Sequence, residues 1–314
     1  MEKNSKAIVY ACVAVLSWST VATAFKVALK SLTYFELLLI ASCTALVIFS
    51  IVLIAQKKLN LVRSLTKKEW LRFAITGLIN PVAYYLILFK AYSMLPAQIA
   101  QPINYSWPIL LLIMLAVFTR RPIPLPKYVG LILSLLGVLF VSLGASKSSI
   151  TGISVSGVLL AAMSAVLWAT YWMINNKYKE TDSTVSLFMG FLFGTFYLLV
   201  SALFVGVNVH NVSSILAGMY VGAFEIGIPF IFFGMAIRMT KNPALVNQLC
   251  YLAPFMSLFF ISIVLGEQIF VSTYIGLVLI VGGIVFNQYI ADRFTWKLYR
   301  VIARRRNAHK TYSN

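Results

Sequence analysis

The chain alternates apolar blocks of about twenty residues with short polar connections. A helix rises about 1.5 Å per residue, so about twenty apolar residues cross the roughly 30 Å of hydrocarbon in a bilayer. The pattern predicts an all-α polytopic membrane protein with ten transmembrane helices, over 7–25, 33–55, 70–93, 97–118, 127–145, 155–175, 184–206, 213–237, 243–265 and 270–289. The connections between them leave no room for a soluble domain. The first apolar block is too long for a signal-peptide core and lacks a cleavage site, so it is expected to stay as a helix.

Composition agrees. Of 314 residues, 61% are hydrophobic and 11% charged, against about 25% charged in soluble domains. The net charge of +18 would suit a nucleic-acid partner, but its distribution argues for a membrane and against nucleic acid. With the N-terminus placed in the cytoplasm, 22 Lys and Arg fall on the cytoplasmic side and four (Lys26, Lys30, Lys90 and Lys147) on the other. That asymmetry is the positive-inside signal, and it predicts an inner (plasma) membrane protein with both termini cytoplasmic. The basic tail 291–314 is expected to rest on anionic headgroups. Cys12, Cys43 and Cys250 all lie in apolar blocks and read as small buried hydrophobes.

The sequence repeats itself. "YVGLILSLLGVLF" at 128–140 and "YIGLVLIVGGIVF" at 274–286 are identical at six of thirteen positions, and five of the rest exchange Val, Ile and Leu. "PAQIAQ" at 96–101 parallels "PALVNQ" at 243–248, Gly77 to Ala91 parallels Gly222 to Ala236, and Trp18-Ser-Thr20 parallels Trp168-Ala-Thr170. These blocks keep their order at offsets of 145 to 150. Two halves are expected, 1–150 and 151–290. Five spans per half is an odd number, so the second half would enter the membrane from the opposite side, as inverted repeats of secondary transporters do.

On Trp18-Ser19-Thr20, the Pro96 and Pro243 helix starts, Leu265-Gly266-Glu267 and the Gly-rich fifth and tenth spans, the chain resembles the drug/metabolite transporter superfamily in its ten-span EamA-type branch. The resemblance implies a permease whose spans 1–4 and 6–9 line the pathway. It also implies export of amino acids or related metabolites, with drugs, quaternary amines or nucleotide-type metabolites as the alternative cargo. One departure is visible. Where the second half has Leu-Gly-Glu267, the first has Phe118-Thr-Arg-Arg121.

Polar residues inside the apolar blocks are the candidates for chemistry. Pro102 and Pro108 should kink span 4, and Gln98, Gln101, Asn104 and Tyr105 fall within two turns of it. Amides facing lipid are costly, so this face should look into protein or water. Gln248 and Tyr251 are its counterparts in span 9. These side chains are expected to contact a small-molecule substrate, the structural alternative being hydrogen bonds that only hold helices together. Glu225 is the one acidic residue deep in a span, a candidate for proton or cation coupling. Its repeat partner, Asn80, is a further candidate for substrate contact. Trp18, Tyr84 and Trp168 are further candidates for substrate contact, by stacking. Lys26 and Glu36 are expected to form an ion pair at the outer mouth.

Other classes fit less well. There is no HExxH, no Gly-rich loop ending in Lys and no acidic cluster, and His210 and His309 fall in a loop and the tail. This excludes the common intramembrane enzymes and ATP-driven pumping by this chain. No cofactor is expected. A channel or scaffold remains the alternative to a carrier, and the chain is expected to act as a monomer or homodimer with the bilayer and coupling protons as its other partners.

Overall fold

The structure is a computed structural model that describes residues 3–120, 123–144, 154–178, 180–209, 211–239, 246 and 249–291. Every regular element among them is helical. The helices are α1 (Lys3–Ala28), α2 (Tyr34–Ala55), α3 (Leu59–Arg63), α4 (Lys67–Gly77), α5 (Tyr84–Met94), α6 (Ala97–Asn104), α7 (Trp107–Thr119) and α8 (Leu125–Gly144). There follow α9 (Val155–Lys177), α10 (Ser183–Val205), α11 (Val212–Val221), α12 (Ile228–Met239), α13 (Leu252–Leu265) and α14 (Val271–Val285). Gln248, Pro243 and the tail from 292 onward lie outside the described residues.

Among the described residues, seven stretches are long and apolar enough to cross a membrane: Ser5–Ala28, Tyr34–Ala55, Lys67–Met94, Ala97–Phe118, Val155–Asn175, Ser183–Val205 and Val212–Ile237. Leu125–Val141, Leu252–Leu265 and Val271–Val285 are apolar but shorter. The start of the expected ninth span lies largely outside the described residues, and the tenth runs on from α14 into a π-type turn over Phe286–Ala291. Leu203 and Phe204 are 82% and 85% exposed, and apolar side chains cover much of the lateral surface, as lipid contact requires.

Three of the long stretches are broken inside. Lys67–Met94 contains a π-type turn at Leu78–Ala83, where Asn80 leaves helical geometry (φ −140°, ψ 118°) ahead of Pro81. Val212–Ile237 contains another at Gly222–Gly227. Ala97–Phe118 divides at Tyr105–Ser106, with Pro102 inside α6 and Pro108 in the first turn of α7. The prolines thus do more than kink the expected fourth span; they split it.

Helix starts are fixed by local chemistry at matching places in both halves. Thr33 and Thr66 form capping boxes with Glu36 and Glu69 at the starts of α2 and α4, and Asp182 and Asn211 cap α10 and α11. Each cap contributes about 1 kcal/mol. Lys58 Nζ also donates to Asp182 Oδ2 at 2.9 Å. Burial pushes the Asp182 carboxyl up, but the Lys58 hydrogen bond and the Val185 and Thr184 amides outweigh it and hold the pKa below 3.8. Its contribution is therefore present above that value and lost as pH falls through the lowered one.

Packing pairs elements from the two halves. α2 lies against α10, with Gln56 bonded to Thr184, Phe49 on Phe191 and Glu36 on Asn208. Residue numbers rise on one helix as they fall on the other, so the pair is antiparallel. α8 and α14 pack the same way, Gly130 facing Gly283 and Gly137 facing Gly276. α1 packs on α12 and α13, as α9 packs on α5, α6 and α7.

The α8–α14 contact depends on glycine. A Cβ on Gly137 would lie 2.5 Å from the Gly276 carbonyl, and one on Gly276 would lie 2.6 Å from the Gly137 carbonyl. Backbone cannot yield as a flexible side chain does, and small residues let membrane helices approach at this range. Gly137→Val is expected to destabilise the protein by about 1–3 kcal/mol through overpacking. Gly282→Ala, on the same helix with nothing within 4 Å, should be neutral or mildly stabilising. Thermal unfolding of the two purified variants in detergent checks the contrast.

Candidate functional site

A cavity of about 410 Å³ lies among α1, α5, α6, α7, α9, α12, the Gly222–Gly227 turn and the residues that lead into α13. Trp18, Tyr84, Gln101, Asn104, Tyr105, Trp168, Glu225 and Tyr251 all line it. Six segments far apart in sequence thus bring eight of the eleven expected residues to one space. Gln248 lies outside the described residues, and Asn80 and Gln98 stand away from the lining.

The π-type turn at Gly222–Gly227 aims Glu225 at the cavity. A wide turn frees a backbone carbonyl, and here Trp18 Nε1 donates to the Glu225 carbonyl at 3.1 Å. Tyr85 Oη donates to Glu225 Oε1 at 3.1 Å. Glu225 is 8% exposed. Tyr85 itself is fully buried beneath it and is absent from the sequence-based candidates. Only its adjacency to Tyr84 hinted at it, and facing Glu225 needs the third dimension.

A second chain of hydrogen bonds runs along the wall. Tyr84 Oη donates to Asn104 Oδ1 at 3.4 Å, Asn104 Nδ2 to Ser164 Oγ at 2.9 Å, and Ser164 Oγ to the Ala161 carbonyl at 2.7 Å. Asn104 therefore both lines the cavity and ties α6 to α9. Gln101 is 2% exposed, and its Oε1 has no partner among the described residues.

Aromatic rings make most of the remaining surface. Tyr84 and Trp168 stack with centroids 4.7 Å apart, and Trp107 and Trp172 lie nearly parallel at 6.2 Å. Trp18 meets Phe233 edge to face at 5.4 Å. Phe25, Tyr92, Phe233 and Cys250 also line the cavity. They carry no polarity pattern to single them out in the sequence.

The cavity is closed at one end and opens towards the other. Phe25, Leu88, Tyr92 and Gln101 are buried, whereas Trp107, Leu111, Trp172, Phe233, Ile237 and Tyr251 are half-buried. Beyond the closed end stands a polar clamp. The Glu267 carboxylate accepts from the Ala97 amide at 3.2 Å and the Gln98 amide at 3.5 Å, capping α6. Lys26 Nζ donates to the Tyr92 and Leu95 carbonyls at 3.0 and 3.1 Å, capping α5. Each charge has the sign its helix end favours.

Gln98 belongs to this clamp. Its Nε2 donates to the Gln268 carbonyl at 2.9 Å, and its Oε1 accepts from the Phe270 amide and Thr273 Oγ1, both at 3.1 Å. Its amide is thus engaged in joining α6 to the 267–273 segment, at a distance from the cavity. Asn80 is 1% exposed, with no hydrogen-bond partner for its amide among the described residues. Its turn packs on α10, where Gly194 abuts Pro81. Lys26 and Glu36 take separate partners: Glu36 Oε2 completes the Thr33 capping box and Oε1 accepts from the Asn208 amide at 2.8 Å.

Comparisons with known proteins agree with this architecture. The model of the EamA-like transporter family matches twice, over residues 5–143 and 155–288. The uncharacterized transporter YvbV of Bacillus subtilis (strain 168) is 26% identical over 238 residues, covering 74% of this chain and 76% of that protein. A solved crystal structure at 22% identity superposes with a TM-score of 0.66 over 93% of this chain and 99% of the other, a likeness of fold. Matched over both halves, a polytopic membrane transporter and not an enzyme, the chain belongs to the EamA-like transporter family.

Proposed function

We propose that this chain is a secondary carrier that binds one small organic solute in the cavity and moves it across the membrane by alternating access. The observation that carries the reading is a cavity sealed at one end, open towards the other, and walled by both family-matched segments. Ten crossings in two inverted repeats, 1–150 and 151–290, fit the antiparallel pairing of α2 with α10 and of α8 with α14. By sequence these are repeat-equivalent pairs. Inversion supplies a second conformation in which the halves exchange roles, opening the opposite end. A channel would not need a sealed end.

The Lys and Arg distribution orients the carrier in the inner membrane, with both termini and the open end of the cavity facing the cytoplasm. The clamp of Glu267, Gln98 and Lys26 then closes the outer end. Glu225 is the coupling residue, occupied in turn by a proton and by a cationic group of the solute. The basic tail meets anionic lipid at the cytoplasmic face.

Solute exchange tests carriage directly. A thermal-shift screen of purified protein against a metabolite library supplies solutes, and proteoliposomes preloaded with a hit should take up its labelled form faster than empty ones. Equal rates would favour a channel. Glu225→Gln should keep downhill exchange but lose accumulation driven by a pH gradient, and accumulation equal to wild type would overturn the coupling role.

The clamp makes a separate prediction. In a cysteine-free background, a cysteine at Leu88 should react with a membrane-impermeant maleimide only from the side bearing Lys58 and Asp182. Adding Glu267→Ala should make it react from both sides. Unchanged one-sided labelling would show that Glu267 does not hold the end closed.

A further inference from the structure

The charge inventory of the cavity narrows what can enter it. Among the described lining residues there is one carboxylate, Glu225, and no Lys, Arg or His. Lys26, the nearby cation at the closed end, lies outside this lining and donates to two backbone carbonyls. The Glu225 carboxylate and the unpartnered Gln101 Oε1 are acceptors. Trp172 Nε1 is an unpartnered donor, but it offers one neutral hydrogen bond and no countercharge.

A solute carboxylate brought into this space would leave water without meeting a positive group, which is strongly unfavourable. An ammonium group would meet Glu225 and the faces of Trp and Tyr rings, which attract cations through their quadrupoles. The stacked Tyr84–Trp168 pair and the Trp107–Trp172 pair offer broad, flat apolar walls. At about 410 Å³, the volume falls within the usual range of small-molecule pockets, about 300–1,000 Å³.

We propose that the cavity selects organic monocations with a flat apolar body, and rejects zwitterionic amino acids and organic anions. This rests on the reading of the cavity as the solute site. It departs from the amino acids that family resemblance implies, because an amino acid brings a carboxylate for which the cavity has no countercharge. Glu225 takes the ammonium group, Gln101 accepts from it or from a neighbouring donor, and Trp168 with Tyr84 stacks on the body.

Three probes that share a phenyl-ethyl body decide the question: phenethylamine, phenylalanine and 3-phenylpropanoate. Calorimetric titration of the purified full-length protein should show phenethylamine binding at least about tenfold more tightly than phenylalanine, a difference of about 1.4 kcal/mol, with 3-phenylpropanoate not binding. Glu225→Gln should weaken phenethylamine by about tenfold or more and erase the preference, while Glu225→Asp, which keeps the charge, should preserve the order. If the Gln variant does not fold, the order on wild-type protein decides alone. Phenylalanine or 3-phenylpropanoate binding as well as phenethylamine, or none of the three binding, overturns the proposal. Counterflow of another solute in those cases would still uphold the carrier, whereas selective amine binding without counterflow would uphold the selectivity and sink the carrier.

Discussion

A peptide group inside hydrocarbon has no water to bond with, so every break in a membrane helix must be satisfied by protein or must face a wet space. That constraint organises this molecule. The turn at Gly222–Gly227 frees a carbonyl, which Trp18 takes up across the cavity. The division at Tyr105–Ser106 brings Asn104 to Ser164 and Tyr84. These two breaks are therefore part of the cavity's wall, and the unbroken helices α2, α8, α10 and α14 stand as paired supports around them.

Pairing of the supports depends on residues that add almost nothing. Gly130, Gly137, Gly276 and Gly283 allow backbone to touch backbone where lipid provides no hydrophobic drive for association. The contact set maps onto itself when the halves are exchanged, since each glycine faces the repeat partner of the other. A geometry that survives the exchange can serve as a fixed frame while the elements around the cavity rearrange.

The correspondence between the halves is broken at two places. Glu225 occupies the place that Asn80 holds in the first half, and only Glu225 reaches the cavity. Glu267 caps α6 at the closed end, while its sequence counterpart is Arg121. A cation there would oppose the positive end of a helix that an anion stabilises. Under the alternating access proposed above, chemically unequal ends would give the two conformations unequal stability.

Much of this was legible in the chain alone. Apolar block length predicts the helices, the repeat predicts two halves, and in-span polarity marks Gln101, Asn104, Tyr105 and Glu225, because placing such groups in lipid is costly wherever they point. Direction was not legible. Gln98 and Gln101 are three residues apart, both amides and both buried, yet one binds the 267–273 segment and the other faces the cavity. Lys26 and Glu36 looked like a pair and instead cap different elements. Sequence determined which groups must avoid lipid, since that cost belongs to the residue itself. Only tertiary structure decided which neighbour satisfies each one, since that depends on which distant helix arrives within about 3 Å.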